Sequence, residues 1–324
     1  MVESASALPI QLEAILRRQK YHLVGAHSAV KRCRWLYESL VNDRVCYKQR
    51  FYGIESHRCI QMTPTVAFCN MRCLFCWRVQ PEDVDISWNE LAAAKWDDPT
   101  EIVDGCLASQ KRLVSGYKSN PKVPIKKLGE AMEPRHVAIS LAGEPTLYPR
   151  LGELISEFHK RGFTTFLVTN GTSPEALAQL DEEPTQLYVS LCAPDRNAFV
   201  RTCRPQISNA WERIDDSLEL IPSLGCRTVI RITLVESFNM KDPERYARLI
   251  RKAHPDFVEP KASMFVGFSR KRIDFHNMPT HTQVEEFAKE LATELGYNLL
   301  DESPASRVVL LSRFAEKRPL RVDF

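Results

Sequence analysis

Residues 69–76 read Cys-Asn-Met-Arg-Cys-Leu-Phe-Cys and place Cys69, Cys73 and Cys76 in one short loop. The preceding residues 63–68 are rich in Thr, Val and Phe, and we predict the first strand of a parallel sheet there. Barrels of alternating strands and helices build their active sites at the carboxyl ends of the strands. The three thiols therefore predict a metal site at the functional end of the sheet.

The spacing of these thiols suits a 4Fe–4S cluster. Each thiolate can hold one iron of the cube, and no fourth cysteine lies near the loop, so one iron stays open to bind a substrate. A zinc knuckle and unlinked core cysteines are the alternatives. Zinc usually takes four ligands from paired arrangements, and the chain contains no partner pair.

Strand and helix patterns alternate after this loop. Further strands are predicted at 136–141, 164–168, 186–191, 227–234 and 257–259, and helices at 97–113, 149–160, 174–180, 209–220 and 243–252. Such alternation is typical of a parallel sheet. Six strands predict an α/β fold with a partial (β/α)6 barrel, and a doubly wound open sheet is the alternative.

Other segments flank or interrupt the predicted barrel. Helical periodicity covers residues 7–29, and the basic stretch 115–134 is interpreted as an inserted loop with a short helix at the barrel mouth. A helix and a last strand at 307–312 follow residue 280. We expect a cysteine-bearing N-terminal extension at 1–62, the barrel at 63–280 and a C-terminal extension at 281–324.

Composition limits the class of protein. The 324 residues are 44% hydrophobic and 26% charged with a net charge of +3, so charge alone does not indicate a nucleic-acid binder. Neither a signal sequence nor a membrane helix is recognisable, and we expect a cytoplasmic protein. Ten cysteines in a reducing compartment indicate metal binding rather than disulfides.

Seven cysteines lie outside the short loop. Cys33, Cys46 and Cys59 are equally spaced along the chain, which is compatible with a second shared metal or with separate thiols. The residues alone leave both interpretations open. Small buried thiols are the expected role of the remaining four, Cys106, Cys192, Cys203 and Cys226.

The short loop is similar to the CxxxCxxC motif of the radical S-adenosylmethionine (SAM) superfamily. Nearly the whole chain resembles the archaeal-type tRNA 4-demethylwyosine synthases, on the three upstream cysteines, Cys46-Tyr47-Lys48, Cys76-Trp77-Arg78 and residues 140–149. The resemblance implies two 4Fe–4S clusters. It assigns the SAM cluster to Cys69, Cys73 and Cys76, and a second cluster with an open iron to Cys33, Cys46 and Cys59.

The resemblance also implies SAM contacts at the strand ends. Residues 140–146 are similar to the glycine-rich motif of the superfamily, with Ala142 in place of its first glycine. The expected SAM-binding residues are Ala142, Gly143, Glu144, Thr169, Asn170, Ser190 and Asn239. A glycine loop and an Asn-Gly turn also occur for purely structural reasons.

The implied reaction joins N1-methylguanosine, next to the anticodon of phenylalanine tRNA, with pyruvate to form 4-demethylwyosine. An adenosyl radical takes hydrogen from the N-methyl group, and the carbon radical adds to the pyruvate carbonyl before the carboxyl carbon leaves. The resemblance implies a lyase that acts as a monomer with an external electron donor. A radical SAM enzyme with another substrate and a zinc-holding RNA-binding protein are the alternatives.

Lys48 is the predicted catalytic residue. Because Arg44 and Arg50 flank it, its pKa is expected to be low, and a free amine can form a Schiff base with a keto acid. The resemblance matches Lys48 to a pyruvate-binding lysine, while the open iron of the second cluster is the other candidate for holding pyruvate. A surface lysine in a basic loop is the structural alternative.

Two runs of basic residues are the candidates for contacts with tRNA phosphates. The alternative interpretation is that they are only solvated surface. They are Lys118, Lys122, Lys126 and Lys127, and Arg270, Lys271 and Arg272.

Overall fold

The computed structural model describes residues 8–86 and 95–320. The helices of these residues are α1 (Ile10–Arg18), α2 (Arg34–Val41), α3 (Tyr47–Tyr52), α4 (Pro99–Ser115), α5 (Ile125–Met132), α6 (Leu151–Lys160), α7 (Pro174–Ala178), α8 (Arg196–Cys203), α9 (Ala210–Leu220), α10 (Pro243–Ala253) and α11 (His281–Leu295). The strands are β1 (Tyr21–Val24), β2 (Ser28–Lys31), β3 (Cys59–Thr63), β4 (His136–Ile139), β5 (Thr164–Thr169), β6 (Gln186–Ser190), β7 (Arg227–Leu234), β8 (Phe257–Ala262), β9 (Asn298–Ser303) and β10 (Val308–Ser312). Within these ranges, no helix is both long and apolar enough to cross a bilayer.

All ten strands of the described residues form one sheet in the order β1-β2-β3-β4-β5-β6-β7-β8-β10-β9. Strands β3 to β8 pair in parallel and in sequence order, whereas β1, β2, β9 and β10 pair antiparallel at the two edges. A doubly wound sheet reverses its strand order at a switch point. The sequential order of the six parallel strands confirms the partial (β/α)6 barrel instead.

The first parallel strand lies upstream of its predicted position. We expected it at 63–68, but β3 covers Cys59–Thr63 and ends just before Pro64. Proline has no N–H for the ladder, so a strand in the middle of a sheet ends there. Cys59 is therefore the first residue of a barrel strand, and the boundary expected after residue 62 falls inside that strand.

The N-terminal prediction of helices across 7–29 is correct only for α1. Residue 7 lies outside the described residues, and β1 and β2 form an antiparallel hairpin instead of a second helix. Gly25 takes a φ of +56° in its turn, a backbone conformation that glycine adopts without steric cost. Because β2 pairs with β3, this hairpin lies at the edge of the barrel.

Successive side chains along each parallel strand point to opposite faces of the sheet. Val137 and Ile139 of β4 face outward and pack in the main hydrophobic core with the helices. Ala138 between them faces the barrel interior, together with Phe166 and Tyr188 from the next two strands. The interior is therefore lined by one residue in two from each strand.

The inserted segment 115–134 contains the predicted short helix, α5, but lies at the other end of the barrel. His57 and Glu130 are joined at 2.9 Å just before β3 begins, and the guanidinium of Arg58 donates to the carbonyl of Glu133. Helix α4 runs back along the sheet after β3, so the chain between α4 and β4 must lie at the amino-terminal ends of the strands. The predicted position at the barrel mouth is wrong for this reason.

Candidate active site

The three thiols of the short loop lie at the carboxyl end of β3, as the barrel prediction requires. Cys69, Cys73 and Cys76 are free and half-buried, and the N–H of Cys76 donates to the carbonyl of Cys73 at 3.1 Å. Cys73 and Cys76 are both electrostatic neighbours of Cys69, so the three thiols of the loop lie near one another.

The backbone of this loop is attached to the end of α8. The N–H of Leu74 donates to the carbonyl of Thr202 at 2.9 Å, and the N–H of Arg72 donates to the carbonyls of Cys203 and Arg204 at 3.1 Å. Arg204 has a φ of +46°, which ends the helix and exposes these carbonyls. No helix was predicted at the position of α8, yet this helix holds the loop in place.

The arrangement of thiols fits a cluster better than a single ion. Among the described residues, one group of three metal-binding side chains has all of its ligand atoms within 4.8 Å of one another. This group is Glu55, His57 and Glu130. Neither triad of cysteines is that compact. Thiolates on separate irons of a cube are farther apart than the four ligands of one tetrahedral zinc ion, so the donor set suits a 4Fe–4S cluster.

Gly143 lies directly against the cysteine loop. Its φ is +68°, and a Cβ added there would overlap the carbonyl oxygen of Thr65. The hydroxyl of Thr63 donates to the carbonyl of Ala142 at 2.5 Å, and the N–H of Glu144 donates to the carbonyl of Phe68 at 2.7 Å. These contacts form a backbone cradle beside the thiols, which is the feature that a small bound ligand needs.

Glu144 joins the ends of β4 and β5. Its buried carboxylate accepts hydrogen bonds from the hydroxyl of Thr169 at 2.6 Å, the N–H of Asn170 at 2.7 Å, and the N–H and hydroxyl of Thr146. Burial raises the pKa of Glu144, and these donors partly oppose that shift. The structure thus brings three of the predicted SAM-binding residues together.

Asn70 is a residue of this site that sequence reasoning missed. Its amide accepts from Asn170 at 2.8 Å and donates to the hydroxyl of Thr172 at 2.8 Å. Because Asn70 follows Cys69 directly, it ties the cysteine loop to the end of β5. The position of Asn70 inside the CxxxCxxC motif is the sequence feature from which this role could have been predicted.

Ser190 and Asn239 differ in their placement. Ser190 is half-buried at the carboxyl end of β6. Asn239 is fully buried, and its amide accepts from the N–H of Val235 and donates to the carbonyls of Cys192 and Thr233. These hydrogen bonds occupy the side-chain amide of Asn239 and stabilise the loop that contains it. The structure therefore does not support the predicted contact of Asn239 with SAM.

The upstream cysteines converge at the opposite end of the barrel interior. Cys33 directly precedes α2 and Cys59 begins β3, and after burial the charge of Cys33 is the next largest cause that raises the pKa of Cys59. Cys46 precedes α3 and is close enough to affect the ionisation of both. The structure therefore brings together the three cysteines of the second triad.

A cavity of about 600 Å³ lies inside the barrel. Cys33, Cys46 and Cys59 line it, together with Ser140 and with Trp77 and Arg78, which directly follow Cys76. A volume of this size accommodates a small ligand.

Lys48 projects into this cavity. Its side chain is only 9% exposed, and its Nζ lies 4.4 Å from the ring centroid of Phe166 and 4.5 Å from that of Tyr188. Burial, followed by the charge of Arg231, lowers the pKa of Lys48 to about 8. The alternative of a surface lysine is wrong.

The low pKa of Lys48 has a different cause from the one expected. Arg44 pairs with Glu38, and Arg50 pairs with Asp301 at the surface. Neither flanking arginine is among the causes of the shift.

A buried ion pair beside Lys48 was not predicted. Arg231 donates to the carboxylate of Glu259 and, at 2.7 Å, to the hydroxyl of Tyr47, while Tyr52 donates to Glu259 at 2.6 Å. Glu259 is fully buried. No local pattern marks this group, because its members come from α3, β7 and β8 and meet only in the folded partial barrel.

The second basic run is largely structural. The Arg272 side chain is 10% exposed, pairs with Asp83 at 2.7 Å and donates to the carbonyl of Cys76, so these contacts give it a structural role beside the cysteine loop. The Nζ of Lys271 donates to the carbonyl of Asp83. Arg270 stays exposed over the ring of Phe265.

The lysines of the first basic run lie near α5, away from the cysteine loop. Lys127 among them pairs with Asp43 at 2.8 Å.

The four remaining cysteines are mostly buried. Cys106, Cys192 and Cys203 belong to the main core, as expected, and Cys226 is half-buried beside it.

Comparison with known proteins agrees with this site. The family model described as "Radical SAM superfamily" matches residues 63–250, and the model described as "Wyosine base formation" matches residues 252–313. The partial barrel and its three-thiol loop thus define the class: the chain is a member of the radical SAM superfamily.

Individual relatives narrow the class. The S-adenosyl-L-methionine-dependent tRNA 4-demethylwyosine synthase of Pyrococcus abyssi is 52% identical over 96% of this chain and 91% of its own length. That of Methanocaldococcus jannaschii is 44% identical over 94% of this chain and 96% of its own length. The chain belongs to the family of tRNA 4-demethylwyosine synthases.

Solved structures give the same result. A structure described as "TYW1 with a lysine-pyruvate adduct bound" superposes with a TM-score of 0.87 at 40% identity, over 98% of this chain and all of that one. The crystal structure of archaeal TYW1 gives a TM-score of 0.78 at 38% identity, over 94% of this chain and 96% of that one.

Proposed function

We propose that this enzyme condenses N1-methylguanosine, next to the anticodon of phenylalanine tRNA, with pyruvate to form 4-demethylwyosine. The observation that carries the proposal is the Lys48 amine, buried in a cavity that is lined by Cys33, Cys46 and Cys59 and by Trp77 and Arg78, which directly follow Cys76. A structural relative holds a lysine-pyruvate adduct. The same arrangement suits a keto acid here.

Cys69, Cys73 and Cys76 hold the SAM cluster in this proposal. Bound at its open iron, SAM supplies the 5′-deoxyadenosyl radical that takes hydrogen from the N-methyl group. The cradle formed by Ala142 and Gly143 holds the methionine part of SAM by backbone contacts. Glu144 keeps that cradle in register with Thr169 and Asn170.

Cys33, Cys46 and Cys59 hold a second 4Fe–4S cluster. Three observations support this assignment: the thiols converge, they line the cavity, and they are not arranged compactly enough for a single ion. A cluster with an open iron at this end of the cavity faces Lys48 and can act as a Lewis acid toward pyruvate.

Lys48 binds pyruvate as a Schiff base. Its free amine adds to the carbonyl carbon, and the carbonyl oxygen leaves as water after proton transfers, so no outside oxidant or reductant is needed. The low pKa of Lys48 supplies the free amine near neutral pH. Arg231, which lines the same cavity, offers a cation to the carboxylate of pyruvate.

The reaction makes the enzyme a lyase. Two carbons of pyruvate enter the new ring, so the bond between its carboxyl and carbonyl carbons is broken.

The target base of tRNA must turn outward to reach the cavity. Phe275, 68% exposed, and Phe265 lie in edge contact beyond β8, and Val266 beside them lines the cavity. Arg270 covers the ring of Phe265. Aromatic rings beside a cation stack unpaired bases and contact phosphate. We propose this cluster of Phe265, Val266, Arg270 and Phe275 as the tRNA-contact surface, with the chain acting as a monomer in the cytoplasm.

One assay tests the proposal. Anaerobically reconstituted protein is incubated with SAM, dithionite as the external electron donor, pyruvate and tRNA that carries N1-methylguanosine. We expect a tricyclic nucleoside by mass spectrometry, with methionine and 5′-deoxyadenosine. Cleavage of SAM without the nucleoside would instead indicate a radical SAM enzyme with another substrate.

A further inference from the structure

Cys203 lies opposite Cys73 across a short antiparallel pairing. Met71 and Pro205 form an antiparallel bridge, and the hydrogen bonds on either side of Cys73 continue that register. Cys73 lies two residues after Met71, and Cys203 lies two residues before Pro205. The two cysteines are therefore opposite each other as a non-hydrogen-bonded pair of the antiparallel ladder. Side chains of such pairs lie close together on one face.

Cys203 is an electrostatic neighbour of Cys73 and of Cys192. Cys203 is 3% exposed and Cys192 is 6% exposed, and both belong to the main hydrophobic core, against which Cys73 packs.

The direction of a hydrogen bond between Cys203 and Cys73 follows from the chemistry of a ligated thiolate. Cys73 bound to iron has lost its proton and can only accept, whereas the thiol of Cys203 carries a proton to donate. Hydrogen bonds to the sulfurs of an iron–sulfur cluster help to set its reduction potential. A donor stabilises the reduced cluster more, because reduction adds negative charge to the sulfurs.

We propose that Cys203 is a positioning residue that raises the reduction potential of the SAM cluster through an S–H···S hydrogen bond to Cys73. The inference rests on the proposed role of Cys73 as a cluster ligand. In the step that it affects, the cluster gains one electron and the external donor loses one. No bond to Cys203 forms or breaks.

The test is a redox titration of the reconstituted enzyme, followed by electron paramagnetic resonance. The SAM cluster is identified by the change in its signal when SAM is added. In Cys203→Ala we expect a more negative midpoint, equivalent to about a tenfold smaller equilibrium constant for reduction, or about 59 mV for one electron. The midpoint of the second cluster should not move.

Two further variants control the titration. Cys203→Ser keeps a donor and should shift the midpoint less than Cys203→Ala. Cys106→Ala removes a buried thiol of α4 that has no cluster ligand among its electrostatic neighbours, and should leave both midpoints unchanged.

Three outcomes would overturn the inference. They are an unchanged midpoint in Cys203→Ala with full iron content, an equal shift of both clusters, and loss of the SAM cluster from both Cys203 variants. Absence of iron from the unsubstituted protein would instead refute the proposed function.

Discussion

The amine of Lys48 and the guanidinium of Arg231 share the ring of Tyr188, with Nζ and Cζ each 4.5 Å from its centroid. Two cations in one buried space repel each other, and the flexible lysine is the one that can give up its proton. Burial is the larger cause of the low pKa of Lys48, and this repulsion adds to it, so the lysine is available as a nucleophile.

The first prediction concerns the pH dependence of the Lys48 amine. With a pKa lowered to about 8, the amine becomes increasingly free as pH rises through that value, so trapping of labelled pyruvate by cyanoborohydride should rise there. Arg231→Gln removes a nearby positive charge, which raises the pKa of Lys48 and moves the profile to higher pH. Arg50→Gln is the control and should leave it in place. Equal profiles for the two variants would contradict the prediction.

The second prediction separates the two cysteine triads. Cys69→Ala should abolish cleavage of SAM, whereas Cys33→Ala should still form 5′-deoxyadenosine but no tricyclic nucleoside. Each variant should lose about half of the iron, as expected for two clusters of the same type. Iron analysis and chromatography of the products provide the measurement. Full iron content in Cys33→Ala would argue against a second cluster.

The third prediction concerns the cradle at Gly143. Alanine there meets both a left-handed backbone and the carbonyl of Thr65, so Gly143→Ala should abolish SAM binding, measured by equilibrium dialysis. Gly162 has a similar φ of +76° with open space around it. Gly162→Ala should therefore cost only about 1–2 kcal/mol of stability and leave SAM binding intact. Similar behaviour of the two variants would mean that the close approach does not matter.

The fourth prediction compares two ion pairs. Glu259 is fully buried and bonded to Arg231 and Tyr52, so Glu259→Ala should lower the free energy of unfolding by about 3–5 kcal/mol. Glu153 pairs with Arg150 at the surface, and Glu153→Ala should cost at most about 1 kcal/mol. Urea titration measures both. A small loss in the Glu259 variant would show that its charge is not needed to hold Arg231.

The fifth prediction tests the tRNA-contact surface. Phe275→Ala should weaken tRNA binding by about 1–3 kcal/mol, the usual contribution of one stacked base, without changing SAM cleavage. Ile125→Ala is the matched control, because Ile125 is 89% exposed but lies on α5 at the other end of the barrel. Filter binding at fixed salt measures the affinities. Equal affinities for the two variants would place the tRNA elsewhere.

Local sequence determined much of the fold and of the first metal site. Alternating strand and helix patterns predicted the six parallel strands in the correct order. The predicted bounds of β7 are correct. The predicted position of β3 is wrong by a few residues, because Pro64 ends that strand. The spacing of Cys69, Cys73 and Cys76 sufficed to predict one cluster, because all of its proposed ligands come from one loop.

The tertiary structure alone decided what lies around the proposed ligands. Cys33 comes close to Cys59, and Cys73 lies opposite Cys203, only because distant segments of the chain fold together. The buried position of Lys48 likewise depends on residues from β7 and β8 that close the barrel around it. Burial and contacts between distant residues set the pKa values and hydrogen bonds of the site, and residue spacing along the chain does not encode them.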